Sequence, residues 1–158
     1  MLRPPRAAAD DDQADLLRQL IALCDAHGVV LNLHNHTNEV ADGMHDLNGT
    51  LSRIPDVKLG PDLNWLVRGD VDPVDFIGRF GRQIVYVHVR DENADGTWSE
   101  AVGEGAMDHH AIGQALKDVG FSGDVTIELA HPKHFELTRP LKETWKISRI
   151  FVQETMGK

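Results

Sequence analysis

"IVYVHVRD", residues 84–91, is the stretch on which the fold turns. Side chains along a strand point alternately to opposite faces. Val85, Val87 and Val89 therefore share one face, while Tyr86, His88 and Arg90 share the other. One face is apolar and the other carries chemistry. Three further runs repeat the division. "VVLNLH" from 29 sets Val29, Leu31 and Leu33 against Asn32, His34 and His36. "VKLGPD" from 57 sets Val57 and Leu59 against Lys58 and, further on, Asp62. "DVTIEL" from 124 sets Val125, Ile127 and Leu129 against Thr126 and Glu128.

The segments between these runs change period. "DDDQADLLRQLIALCDAHG", 10–28, places Leu16, Leu17, Leu20, Ile21 and Cys24 at helical spacing, with acids in the first turn and a glycine past the end. "GMHDLNGTLSRI", "DPVDFIGRFG" and "DHHAIGQALKDVG" have the same character, and "RPLKETWKISRIFVQETM" closes the chain with Trp145 expected in the core. The order αβαβαβαβα calls for a parallel four-stranded sheet with right-handed crossovers and helices outside it. The interval before the last strand is the longest and holds "DENADGTWSEAVGEGAM", 91–107, too polar and glycine-rich for anything but a loop.

With 158 residues and 41% hydrophobic content, the chain has the size and the apolar side chains for one domain, expected over 10–158. Residues 1–9, with two prolines and three alanines, are expected to form a flexible arm. A net charge of -9 argues against a nucleic-acid or anionic membrane partner. No apolar run is long enough to span a bilayer, and the single cysteine, Cys24, permits no intramolecular disulfide and reads as a small core residue. A cytoplasmic protein is expected.

A parallel sheet with one polar face is unusual, because such sheets are normally covered on both sides. Either the polar face is the interior of a (βα)8 barrel, of which these are four units, or it is solvated. In a barrel, the residues at the C-terminal ends of the strands form the active site.

"LHNHTNEV", "LGPDLNWLVRGDVDP", "VHVRD", "VGEGAMDHHAIGQAL" and "GFSGDVTIELAHP" resemble, in order and spacing, the C-terminal half of the sugar phosphate isomerase/epimerase family with the xylose-isomerase-like TIM barrel. The likeness runs from about Leu16 to the end. It implies a (βα)4 half-barrel and a divalent metal, Mn, Mg, Co or Zn, held by Glu39, Asp62, His88 and Glu128. Face alternation independently puts Asp62, His88 and Glu128 on the polar side; Glu39 rests on the resemblance alone. Where many relatives carry a glutamate on the first of these strands, this chain has His34, so His34 or His36 stands as an alternative ligand. Where many have a histidine three residues after the aspartate, this chain has Trp65, which puts one substrate contact in doubt.

The activity implied is isomerisation or epimerisation of a sugar, sugar phosphate or polyol. Its chemistry is proton transfer next to a carbonyl through a metal-stabilised enediolate. Glu39 and Glu128 would move the proton, His34, His36, Trp65 and Arg90 would contact substrate, and Glu104 in "GEG" would orient His88. His45, His109 and His110 are expected in solvent, and His27 at a helix end. His131 and His134 stand near the last strand. Half a barrel exposes strand edges, so a homodimer or a separate N-terminal half is expected to complete it. Two other readings stand beside the enzyme. One is a non-catalytic metal-binding half-barrel scaffold or a fragment. The other is an endonuclease of related barrel type, which the negative charge disfavours.

Overall fold

The computed structural model describes residues 11–129 and 131–158, so the arm expected over residues 1–9 lies outside it. The elements run α1 (Asp11–Ala26), β1 (Asn32–Leu33), α2 (Thr37–Arg53), β2 (Lys58–Leu59), α3 (Leu63–Arg68), α4 (Pro73–Phe80), β3 (Tyr86–Val89), α5 (His109–Asp118), β4 (Asp124–Ile127) and α6 (Leu141–Met156). The expected alternation holds. One helix, α3, was not foreseen. Its signals are an aspartate at the N-cap followed by Leu63, Leu66 and Val67 at helical spacing.

The strands are parallel but pair only two by two. β1 pairs with β2 through Asn32–Lys58 and Leu33–Leu59, and β3 pairs with β4 from Tyr86–Asp124 to Val89–Ile127. Isolated parallel bridges, Leu59 to Ile84 and Asp62 to His88, join the pairs into the order β1-β2-β3-β4. The sheet is thus narrower in its hydrogen bonding than a continuous four-stranded ladder. Pro61, two residues past the end of β2, contributes to the gap, since proline has no N–H to donate.

Face alternation is obeyed at Val57, Leu59, Val87 and Val89, but Val29 is exposed and Val85 only half-buried, with Ile84 in the core in its place. Val57, Leu59, Val87 and Val89 lie in the core with Leu63, Leu66, Ile77 and Ile112 from the helices, while Tyr86 and His88 turn the other way. At Gly60 the inner face is crowded: a Cβ there would meet Asn32 Oδ1 at 2.0 Å and the Tyr86 ring at 3.4 Å. Glycine is required by close approach.

Two helices bury less than their patterns indicate. In α1 Ala14 is buried and Leu17 and Ile21 pack partly buried against the core, while Leu16 and Leu20 are exposed. In α6 the expected core residue Trp145 is 41% exposed, and Thr144, Ser148 and Val152 are buried instead. The apolar residues of both helices exceed what this chain can cover. No described helix is long and apolar enough to cross a membrane.

Candidate functional site

Asp62, His88 and Glu128 meet at the C-terminal ends of β2, β3 and β4. One ligand atom of each lies within 4.8 Å of the others. Strand pairing brings them there: Asp62 bridges to His88 across the β2–β3 gap, and the Glu128 N–H donates to the carbonyl of Val89 at 2.9 Å.

Asp62 is fully buried. Its Oδ1 accepts from the N–H groups of Asn64 (3.1 Å) and Trp65 (3.2 Å), capping α3, while its Oδ2 accepts from Arg90 Nε at 2.6 Å. Asn35, just past β1, locks the same residue by accepting from the Asp62 N–H (3.1 Å) and donating to its carbonyl (3.3 Å). Arg90 also reaches Glu128 Oε1 at 2.6 Å, and the other oxygen of Glu128 lies 3.1 Å from His88 Nδ1. A single guanidinium, 8% exposed, thus bridges two converging carboxylates and offsets their repulsion.

Two carboxylates and an imidazole from three strand ends form a donor set that suits Mn, Mg, Co or Zn with coordination positions left open. The donor chemistry of Asp62, His88 and Glu128 fits a divalent metal, which these three residues would hold.

The other residues singled out in the sequence are distributed as follows. The His34 ring lies 4.5 Å from that of His88 and 5.0 Å from that of His36. Partial burial first, and then the neighbouring His88, lower its pKa, while Asp62 pulls the other way. His36 stands 5.8 Å from Trp65, whose ring meets Trp98 edge-on at 5.6 Å, and Arg90 lies over both indoles. Glu39 falls outside the three-residue cluster. It occupies the first turn of α2, where Oε2 accepts from the His36 N–H at 2.8 Å and Oε1 from Asn38 at 2.8 Å. Glu104 pairs with Arg139 rather than lying on His88, whose Nδ1 is engaged by Glu128.

Sequence reading missed a second, wholly buried pair. The Asp91 carboxylate accepts from the N–H groups of Gly103 (2.8 Å), Gly105 (2.8 Å), Met107 (3.3 Å) and Glu92 (2.9 Å). His109, expected in solvent, is buried with its Nε2 3.6 Å from Asp91 Oδ1. It is the first residue of α5, where the turn after the Asp108 cap directs it inward. Burial pushes the Asp91 carboxyl up, but the neighbouring His109 imidazole and the N–H groups of Gly105 and Gly103 together hold it below the usual carboxylate range. Asp91 thus gathers the loop 92–107 that presents Trp98. The "GEG" glycines are the signal that was available, since a Cβ at Gly105 would strike Asp91 Oδ1 at 2.3 Å. His45 and His110 are exposed as expected, and His131 bonds the Glu100 carbonyl at 2.9 Å.

A family model described as xylose isomerase-like TIM barrel matches residues 2–154. No curated protein matches the chain. Solved structures do. A sugar phosphate isomerase/epimerase from Parabacteroides distasonis ATCC 8503 is 21% identical over 96% of this chain and 55% of its own, with a TM-score of 0.71. An L-ribulose 3-epimerase is 21% identical over 96% of this chain and 57% of its own, with a TM-score of 0.75. A 3-keto-D-glucoside 4-epimerase from E. coli is 18% identical over 97% of this chain and 58% of its own, with a TM-score of 0.69. The chain spans just over half the length of these structures, and at such identities the likeness is one of fold.

Proposed function

Because the chain belongs to the xylose isomerase-like TIM barrel family, we propose that it serves a divalent-metal-dependent isomerase or epimerase acting on a sugar, sugar phosphate or polyol. The observation that carries this reading is the convergence of Asp62, His88 and Glu128 within 4.8 Å at the strand ends. These three residues would hold the metal, which when bound supplies a Lewis acid that polarises a carbonyl and makes the neighbouring C–H acidic.

This chain's residues account for the remaining steps. Glu128, 43% exposed and the most accessible member of the cluster, takes the proton as the C–H bond breaks and its electron pair moves toward the carbonyl carbon. Return of a proton to the opposite face gives an epimer, and return to the neighbouring carbon gives an isomer. Arg90 holds Glu128 by one oxygen, so proton transfer occurs at a fixed carboxylate. Trp65 and Trp98 form an apolar wall that excludes water beside it. For Glu39 to serve as the opposing proton carrier, it must exchange its bonds to His36 and Asn38 for substrate.

The test is solvent deuterium incorporation into a panel of ketoses with manganese-loaded protein. Wild-type protein is expected to exchange label at the carbon next to the carbonyl, and Glu128→Gln to lose it by about a hundredfold or more. Exchange that survives in Glu128→Gln removes this residue from the proton path. Stoichiometric metal without exchange on any ketose favours the non-catalytic scaffold.

A further inference from the structure

Trp98 belongs to two surfaces. One is the aromatic wall beside the cluster, and the other is a cleft of about 820 Å³ between the loop 92–107 and the segment 132–136 that follows β4. Small-molecule sites have volumes of roughly 300–1,000 Å³. The reaction proposed above uses nothing of this cleft beyond Trp98.

Two aromatic rings line the cleft, Trp98 and Phe135, and each is backed by a planar group outside the lining. Trp98 ends a narrow hairpin that bridges back to Glu92, and Arg68 braces that hairpin from α3. Its Nε donates to Glu92 Oε2 at 2.6 Å, its Nη2 donates to the Gly96 carbonyl at 2.8 Å, and its guanidinium carbon lies 3.8 Å from the centre of the Trp98 ring. Phe135 stacks on His131 at 4.5 Å with the rings 11° from parallel, and His131 Nε2 lies 2.9 Å from the Glu100 carbonyl. The two walls are also latched to each other. Glu100 accepts from the Thr138 N–H at 3.1 Å and from its hydroxyl at 2.7 Å, and Arg139 pairs with both Glu100 and Glu104. Both rings are therefore held in place before a ligand arrives, which lowers the entropy lost on binding.

Aromatic faces with carboxylates and an amide between them suit a sugar ring, whose C–H groups lie against the aromatic rings while its hydroxyls bond to Glu104, Glu136 and Asn93. The three carboxylates of the lining, Glu100, Glu104 and Glu136, repel a phosphate or a carboxylate. We infer that the cleft holds a second, uncharged sugar ring, so that the substrate is a neutral glycoside or disaccharide. Its reacting ring lies at the cluster, and its other ring lies against Trp98 and Phe135. This inference rests on the proposed reaction for the reacting ring and adds the chemistry of the distal one. Binding of the distal ring then helps to hold the reacting carbon in place.

Isothermal titration calorimetry on the manganese-loaded chain tests it by comparing fructose with the ketose-ended disaccharides lactulose, maltulose and isomaltulose, with solvent deuterium exchange followed on the same sugars. At least one disaccharide is expected to bind about tenfold more tightly than fructose. Phe135→Ala, first shown by circular dichroism to melt as the wild-type chain does, is expected to bring that disaccharide to the level of fructose and to leave fructose affinity unchanged. Phe135→Tyr is expected to keep the preference. Disaccharides that all bind no more tightly than fructose, or a preference that survives Phe135→Ala, overturn the inference. The two readings fail separately. Exchange on fructose without a disaccharide preference removes the cleft as a sugar site and leaves the reaction standing, whereas Phe135-dependent disaccharide binding without exchange on any sugar keeps the cleft and removes the reaction.

Discussion

The β3–β4 half and the β1–β2 half of this molecule use the same βα plan with different firmness. β3 and β4 pair over four residues each, α5 packs so closely on α6 that a Cβ at Gly113 would lie 2.3 Å from the Thr155 carbonyl oxygen, and Asp91 ties down the loop between. In the other half β1 and β2 pair over two residues, and α2 is broken at 41–44, where Asp42, Gly43 and Met44 all have positive φ. The difference teaches where the chemistry is anchored. His88 and Glu128 come from the firm half and Asp62 from the seam, whereas His34, His36 and Glu39 come from the loose half and stand at the rim. A site that must hold converging carboxylates is built on the rigid side.

The sharpest way to break this contrast is Asp91→Asn. It halves the charge-assisted acceptors for four N–H groups and removes the carboxylate beside buried His109, so a loss of about 3 kcal/mol is expected in urea unfolding. A loss below about 1 kcal/mol would mean that the loop is held elsewhere. The pH dependence has a definite sign. The Asp91 pKa is lowered in the folded state, so its stabilisation is present above the unfolded carboxylate pKa and is lost as pH falls through the lowered folded value. Asp91→Asn is therefore expected to flatten the acid limb of stability against pH. An unchanged acid limb would assign that dependence to other carboxylates.

Next in size is Gly113→Ala. The added methyl meets backbone rather than a movable side chain, so α5 and α6 must separate, at a cost of about 1 to 3 kcal/mol read as a lowered Tm. The smallest effect is expected in the loose half. Asp42→Gly removes a side chain held at φ 52 on an exposed turn and should shift stability by only a few tenths of a kcal/mol. A change there as large as that at Gly113 would erase the distinction between the halves.

The same contrast explains what could be read from the chain without coordinates. Face alternation in "IVYVHVRD" located His88 and Arg90, and the matching positions of Asp62 and Glu128, because strand periodicity is a local property of the backbone. The Arg90 bridge was not legible, since it depends on how far apart β2 and β4 lie. Asp91 and His109 escaped for a similar reason: a carboxylate that gathers four amides looks in sequence like an ordinary turn residue. Trp145 and the α1 leucines had the spacing of core residues, and spacing cannot tell whether the surface they suit lies in the same chain.

The two oxygens of Asp62 do different work, one capping α3 and the other facing Arg90 and the cluster. Occupancy of the cluster and fraying of α3 are therefore linked equilibria: whatever steadies that carboxylate steadies the helix start. Slowed hydrogen exchange at the amides of Asn64 and Trp65 would serve as a gauge of occupancy that needs no turnover.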